Sequence, residues 1–123
     1  MKNKSIEVTL LNEGILHIHL KAKSEITLND SALAVEEMGK ISQSKKLPVF
    51  IDASEFCTVD KKARIFSASE ESNIYTLVDA IACSNFGQKL IANFYLNQNN
   101  LSVPTKIFSE KEEAIDWLKT FLK

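Results

Sequence analysis

The sequence predicts one α/β domain on a mixed β-sheet: an N-terminal antiparallel hairpin, the remaining strands parallel, and four helices. Three observations predict it. Apolar residues alternate with period two over residues 5–12 and again over 15–21. Leu47 to Ile51 is a continuous apolar run, the pattern of a central strand covered on both faces. From Thr27 onward, segments of helical period alternate with short apolar strands, as when helices cross between parallel strands. The chain has 123 residues, 45% of them hydrophobic, which suits a single domain over 1–123 with a core that needs no disulfide or metal.

The elements follow in order. In the first strand Ile6, Val8 and Leu10 share one face, with Glu7 and Thr9 on the other. Asn12-Glu13-Gly14 is turn chemistry. In the second strand Leu16, Ile18 and Leu20 face one way, and Ile15, His17 and His19 the other, so the two strands read as a hairpin. Thr27 to Asp30 resembles a capping box, with aspartate in the place usually held by Glu or Gln. The helix it opens carries Leu28, Ala32, Val35, Met38 and Ile41 or Ser42 at helical spacing. Pro48 stands at the start of the apolar strand, where a missing N–H is best tolerated. Lys61 to about Ser72 reads as a helix with Ala63, Ile65, Phe66 and Ser69 inward. Residues 77–83 form another strand, in which Asp79 is the oddity, either a buried carboxylate or one on an exposed face. Ser84 or Asn85 caps a helix bearing Phe86, Leu90, Ile91 and Phe94. A polar loop at 97–100 leads past Pro104 to a short strand, Thr105 to Phe108. Ser109 to Glu112 is a capping box for the last helix, whose apolar face includes Ala114, Ile115, Trp117, Leu118, Phe121 and Leu122. The order is β-β-α-β-α-β-α-β-α.

Composition excludes several function classes. Lys plus Arg number 15 and Asp plus Glu 16, a balance that argues against a general nucleic-acid or membrane-surface binder. Arg64 is the only arginine, so the guanidinium forks that suit phosphate recognition are scarce. Cys57 and Cys83 form no CxxC pattern and read as free thiols in a reducing cytosol. The N-terminus lacks signal-peptide character, and no apolar run approaches the ~20 residues of a membrane span. The expected location is therefore the cytoplasm. With three glycines there is no phosphate cradle, and no GxSxG, P-loop or GxGxxG pattern occurs, so no cofactor and no enzymatic activity are expected.

The most informative stretch is Leu47 to Phe66, where a buried strand ends in Asp52-Ala53-Ser54 and Asp60 opens a helix after a short loop. The element order, together with residues 52–64, resembles the STAS domain of sulfate transporters and anti-sigma-factor antagonists. That family's signature runs roughly Asp-Leu-Ser-x-Val-x-x-Ile-Asp-Ser-Ser-Gly-Leu from a strand end into a helix. Asp52, Ser54, Phe56, Val59 and Asp60 fall in register with it. Lys61 then stands where the phospho-acceptor serine would be, Lys62 at the next serine and Ala63 at the glycine. The segment from Pro104 to Leu118 looks like the last strand and helix of uncharacterised bacterial STAS-like proteins, related in fold to lipid-binding CRAL-TRIO domains. The resemblance implies a non-enzymatic regulatory or protein-interaction module. A fixed cation at Lys61 would replace a switchable anion.

Open α/β sheets bind at the carboxyl ends of their strands. The expected interaction surface is therefore Ser54, Thr58, Asp60, Lys61 and Ser84, facing a protein partner of unknown identity. Ser54 and Thr58 are the loop hydroxyls left to phosphorylate, although such groups more often bond the local backbone. His17 and His19 have a His-x-His spacing, but no third ligand is evident, so they are expected on the solvent side of an edge strand with no metal. Cys57 near a helix N-terminus would need a base to act as a nucleophile, and no histidine belongs to the neighbouring loops. Lys45-Lys46 and Lys61-Lys62 flank opposite ends of one strand and form two small patches. The alternative function is a small-ligand or lipid carrier, with Phe56, Phe66, Phe86 and Phe94 lining a pocket. The free hairpin edge also offers a route to a homodimer.

Overall fold

The computed structural model describes residues 5–55, 57–83 and 102–122. β1 (Ile6–Leu10) and β2 (Leu16–Leu20) form the expected antiparallel hairpin, with Ile6 opposite Leu20 and Leu10 opposite Leu16. Gly14 takes a φ of 86° in the turn, a conformation that costs glycine little. β3 (Glu25–Ile26) precedes α1 (Leu28–Ser42), and β4 (Leu47–Asp52) follows it. The loop after β4 contains β5 (Thr58–Val59) and runs into α2 (Lys61–Ser67). β6 (Thr76–Ala82), β7 (Thr105–Phe108) and α3 (Lys111–Lys119) complete the described elements. Three helices are described, against the four expected; the helix expected after Ser84 or Asn85, with Phe86 and Phe94, lies outside the described residues.

The main sheet has five strands in the order β1-β2-β4-β6-β7. Only the β1–β2 pair is antiparallel, and β2–β4, β4–β6 and β6–β7 are parallel. Each face has its own core. On one, Ile6, Val8, Leu16, Ile18 and Val49 meet α1 through Ala34 and Met38, and α2 through Ala63. On the other, Ile15, Phe50, Val78 and Ala80 meet α3 through Ala114, Ile115 and Leu118. Period-two alternation in β4 thus sends Val49 and Phe50 to opposite cores, which is why the strand reads as unbroken apolar sequence.

The caps show how local sequence sets the helix starts. Thr27 Oγ1 accepts the Asp30 N–H at 3.2 Å, and the Thr27 N–H donates to Asp30 Oδ2 at 2.9 Å, so aspartate closes the box as glutamate would. Other local expectations shift. Ala32 and Leu28 are exposed, because the buried stripe of α1 runs through Ala34, Met38 and Ser42. Ile65 is also exposed, and α2 ends at Ser67 short of Ser72. Side chains there take over the helix carbonyls: Ser67 Oγ donates to Arg64 O and Asn73 Nδ2 to Ser67 O. The last helix begins at Lys111 with Glu110 as its N-cap and no side-chain cap bond, one residue later than the Ser109 box implied. Trp117 is half-buried against Phe108 and Phe121. No helix among the described residues is long and apolar enough to cross a membrane.

Candidate functional site

The junction after β4 is held by its own polar groups. Ser54 donates to Asp52 Oδ1 through its N–H at 3.0 Å and its hydroxyl at 2.6 Å. β5 then pairs in parallel with β3, with the Thr58 N–H on Ser24 O and the Asp60 N–H on Ile26 O, each at 3.0 Å. Asp60 caps α2, its Oδ1 accepting the Ala63 N–H at 2.8 Å. Ser54, Thr58, Lys61 and Lys62 are exposed and Asp60 is half-buried, while Ser84 lies outside the described residues. The structure therefore brings Ser54, Thr58, Asp60 and Lys61 onto one short stretch of backbone.

The histidines are not on an edge strand. β2 lies between β1 and β4, and β1 is the edge. Parallel pairing sets His17 beside Phe50 and His19 beside Asp52. The His17 ring stacks on Phe50 with centroids 5.3 Å apart. His19 Nε2 is 2.8 Å from Glu55 Oε1, so a histidine does reach the junction loop, contrary to the expectation that the hairpin kept both away. Burial depresses the His17 pKa, and the charges of Lys111 and His19 add to it against the pull of Asp52. For His19, burial pushes down, but the bonds to Glu55 and Glu7 and the charges of Asp52 and Glu55 outweigh it and raise the pKa. Asp52 is held below its ordinary value: burial opposes ionisation, and the two Ser54 bonds with the nearby histidines overcome it. No group of three or more His, Cys, Asp or Glu suited to a metal occurs among the described residues. Burial raises the Cys57 pKa, so this thiol is the reverse of an activated thiolate.

Behind the junction lies a cavity of about 450 Å³ between the sheet and the two helices α1 and α2. That volume falls within the roughly 300–1,000 Å³ of small-molecule sites. Most of its described wall is aliphatic, including Ile18, Ile26, Val35, Met38 and Ile51. Phe66, expected to line it, is not among the lining residues described, and Phe56, Phe86 and Phe94 lie outside the described residues. The inner sides of Ala53, Cys57, Thr58, Val59, Ala63 and Arg64 belong to it as well. The segment that presents the junction outward thus closes the cavity inward.

Asp79 is the polar feature of this space. It sits in β6 between Val49 and Thr105 of the flanking strands, deep in the protein, and the area it keeps faces the cavity. Burial alone pushes its carboxyl up to about 7, and among the described residues no hydrogen bond reaches the side chain. The sequence showed an aspartate interrupting an apolar strand; only the sheet register shows that the carboxyl opens onto a cavity.

The sequence matches the model of a family described as a domain of unknown function (DUF7793) over residues 9–122. No curated protein matches it. Among solved structures, the fold is similar to that of an uncharacterised protein of the DUF3478 family with a SpoIIAA-like fold, from Shewanella loihica PV-4. The TM-score is 0.61 at 18% identity, covering 92% of this chain and 91% of that one. The likeness establishes a SpoIIAA-like, STAS-like fold.

Proposed function

The chain belongs to this family of domains of unknown function, and on that premise we propose that it is a non-enzymatic interaction module whose state is set by a small apolar ligand. One observation carries the reading: along the junction the exposed Ser54, Thr58 and Lys61 are interleaved with Ala53, Val59 and Ala63, which line the cavity. A ligand that fills the cavity packs against Ala53, Val59 and Ala63, and so biases the positions of Ser54, Thr58, Asp60 and Lys61 on the same backbone. Lys61 occupies the place where the STAS-like resemblance puts a phospho-acceptor serine. On this reading ligand occupancy takes over the role that phosphorylation plays at that position.

Native mass spectrometry of protein purified from cells, followed by hydrogen exchange with and without ligand, tests the proposal. The expected result is a co-purifying small molecule whose removal speeds exchange across residues 53–64. The variant Ala34→Phe, which fills the cavity from α1, should lose the added mass and keep its circular dichroism spectrum. Wild-type protein that carries no ligand and gains none from an apolar compound library would overturn the reading.

A further inference from the structure

Asp79 stands in β6 with Val49 of β4 on one side and Thr105 of β7 on the other, and it borders both the large cavity and an adjoining space of about 70 Å³. The elements around it bring little charge. Of the described lining residues, β1, β2 and β3 supply only isoleucine and leucine, and β4 supplies Val49 and Ile51. α1 supplies Ser31 with aliphatic side chains, α2 supplies Ala63, Arg64 and Ser67, and β7 supplies Thr105. The thiols Cys57 and Cys83 complete the ionisable groups of the described wall. Arg64 is exposed, and its Nη1 donates to Val59 O at 2.6 Å, on the junction side. No described cation therefore pairs with Asp79.

An unpaired carboxylate that faces an aliphatic space depends on whatever polar surroundings the space admits. An apolar molecule in that space removes them and leaves the charge enclosed in a low dielectric, so the ligand and the charge exclude each other. We propose that the cavity takes up its apolar ligand together with a proton on Asp79, the neutral acid being the form that binds. The hydroxyls of Ser31, Thr58, Ser67, Ser72 and Thr76 and the amide of Asn73 line the same space, and none of them donates to Asp79. These groups do not titrate near neutral pH, so whatever bonds they make, they carry no pH dependence. Burial brings the Asp79 carboxyl up to about 7, which sets the gate near neutrality. Acid then loads the cavity and alkali empties it, and the junction follows through Ala53, Val59 and Ala63. The inference rests on the cavity being a ligand site.

Toluene and naphthalene carry no ionisable group and no hydrogen-bond donor, so any pH dependence in their binding belongs to the protein. In isothermal titration of the full chain they should bind roughly tenfold more weakly at pH 8 than at pH 6, as the competent fraction falls from about nine-tenths to about one-tenth. Binding near pH 7 should take up about half a proton, read from the heats in buffers of different ionisation enthalpy. Asp79→Asn, a fixed stand-in for the neutral acid, should bind with one affinity at both pH values. Equal wild-type affinities at pH 6 and pH 8 would overturn the gate and leave the cavity reading standing. So would a pH dependence that survives Asp79→Asn. Failure of both probes to bind wild-type protein at pH 6 would remove both. Should Asp79→Asn fail to fold, proton uptake by the wild-type protein decides alone, and its absence overturns the gate.

Discussion

His19 Nε2 lies 2.8 Å from Glu55 Oε1, tying the end of β2 to the loop that follows β4. The ring's other nitrogen is 3.4 Å from Glu7 Oε1 on β1, so one imidazole bridges the sheet edge and the junction. These carboxylates raise the His19 pKa against the effect of burial. Glu55→Gln should therefore move His19 down towards its ordinary value, as read from its ring protons in an NMR titration. Because the folded-state value lies above the unfolded one, the contact contributes stability that is full below the ordinary value of 6.5 and is lost as pH rises through the folded value. His17 acts with the opposite sign, since burial lowers it, and its contribution is lost as pH falls below 6.5. An unchanged His19 titration in Glu55→Gln would show that the bridge does not form in solution.

That bridge also marks where the sequence stops being legible. Thr27 and Asp60 could be read as caps because the donor, the acceptor and the start of the helix lie within four residues. The strands could be read because alternation and unbroken apolar runs report burial directly. The proximity of His19 to Glu55 depends on which strand lies beside β2, and spacing along the chain does not state that. The β3–β5 pair left no trace for a related reason: two residues per strand are too few to carry a period. The aliphatic wall of the cavity could not be read because aliphatic residues at helical spacing look the same whether they fill a core or line a space. Asp79 stood out only as a polar residue where the strand pattern called for an apolar one.

The caps can be tested separately. Thr27→Ala removes the acceptor for the Asp30 N–H, and Asp60→Ala removes the acceptor for Ala63. Each should cost about 1 kcal/mol in urea unfolding, the usual worth of an N-cap. Lys61→Glu should act in the other direction by a few tenths of a kcal/mol, roughly, because the first turn of α2 holds no acidic residue to complement the helix dipole. A loss from Lys61→Glu as large as that from Asp60→Ala would mean that the lysine has a structural partner beyond the helix.

Gly39 is required by its neighbour. A Cβ there would meet Tyr75 Cε2 at 2.6 Å and the Tyr75 hydroxyl at 2.9 Å. Helix propensity alone favours Gly39→Ala by about 1 kcal/mol. The clash should reverse that sign unless the ring swings aside. Gly39→Ala is therefore expected to destabilise the wild-type chain and to stabilise the Tyr75→Ala background, a coupling that a double-mutant cycle in urea would measure. Equal effects in the two backgrounds would show that the ring yields freely.

The largest pH effect should come from Asp79. Its ordinary value is 3.8 and burial raises it to about 7, so between these values the folded chain holds a proton that the unfolded chain has released. Stability must then fall as pH rises across that window and level off above it. Asp79→Asn keeps the shape, removes the titration and should be the more stable protein at pH 8, by a few kcal/mol, roughly, if the whole shift is realised. His17, His19 and Asp52 titrate on the opposite face of the sheet in both proteins, so the difference between the two unfolding curves isolates Asp79. The gap should be near zero at pH 4 and widen steadily to pH 7. A gap that stays constant with pH would mean that the carboxyl is ionised and already paired in the folded protein.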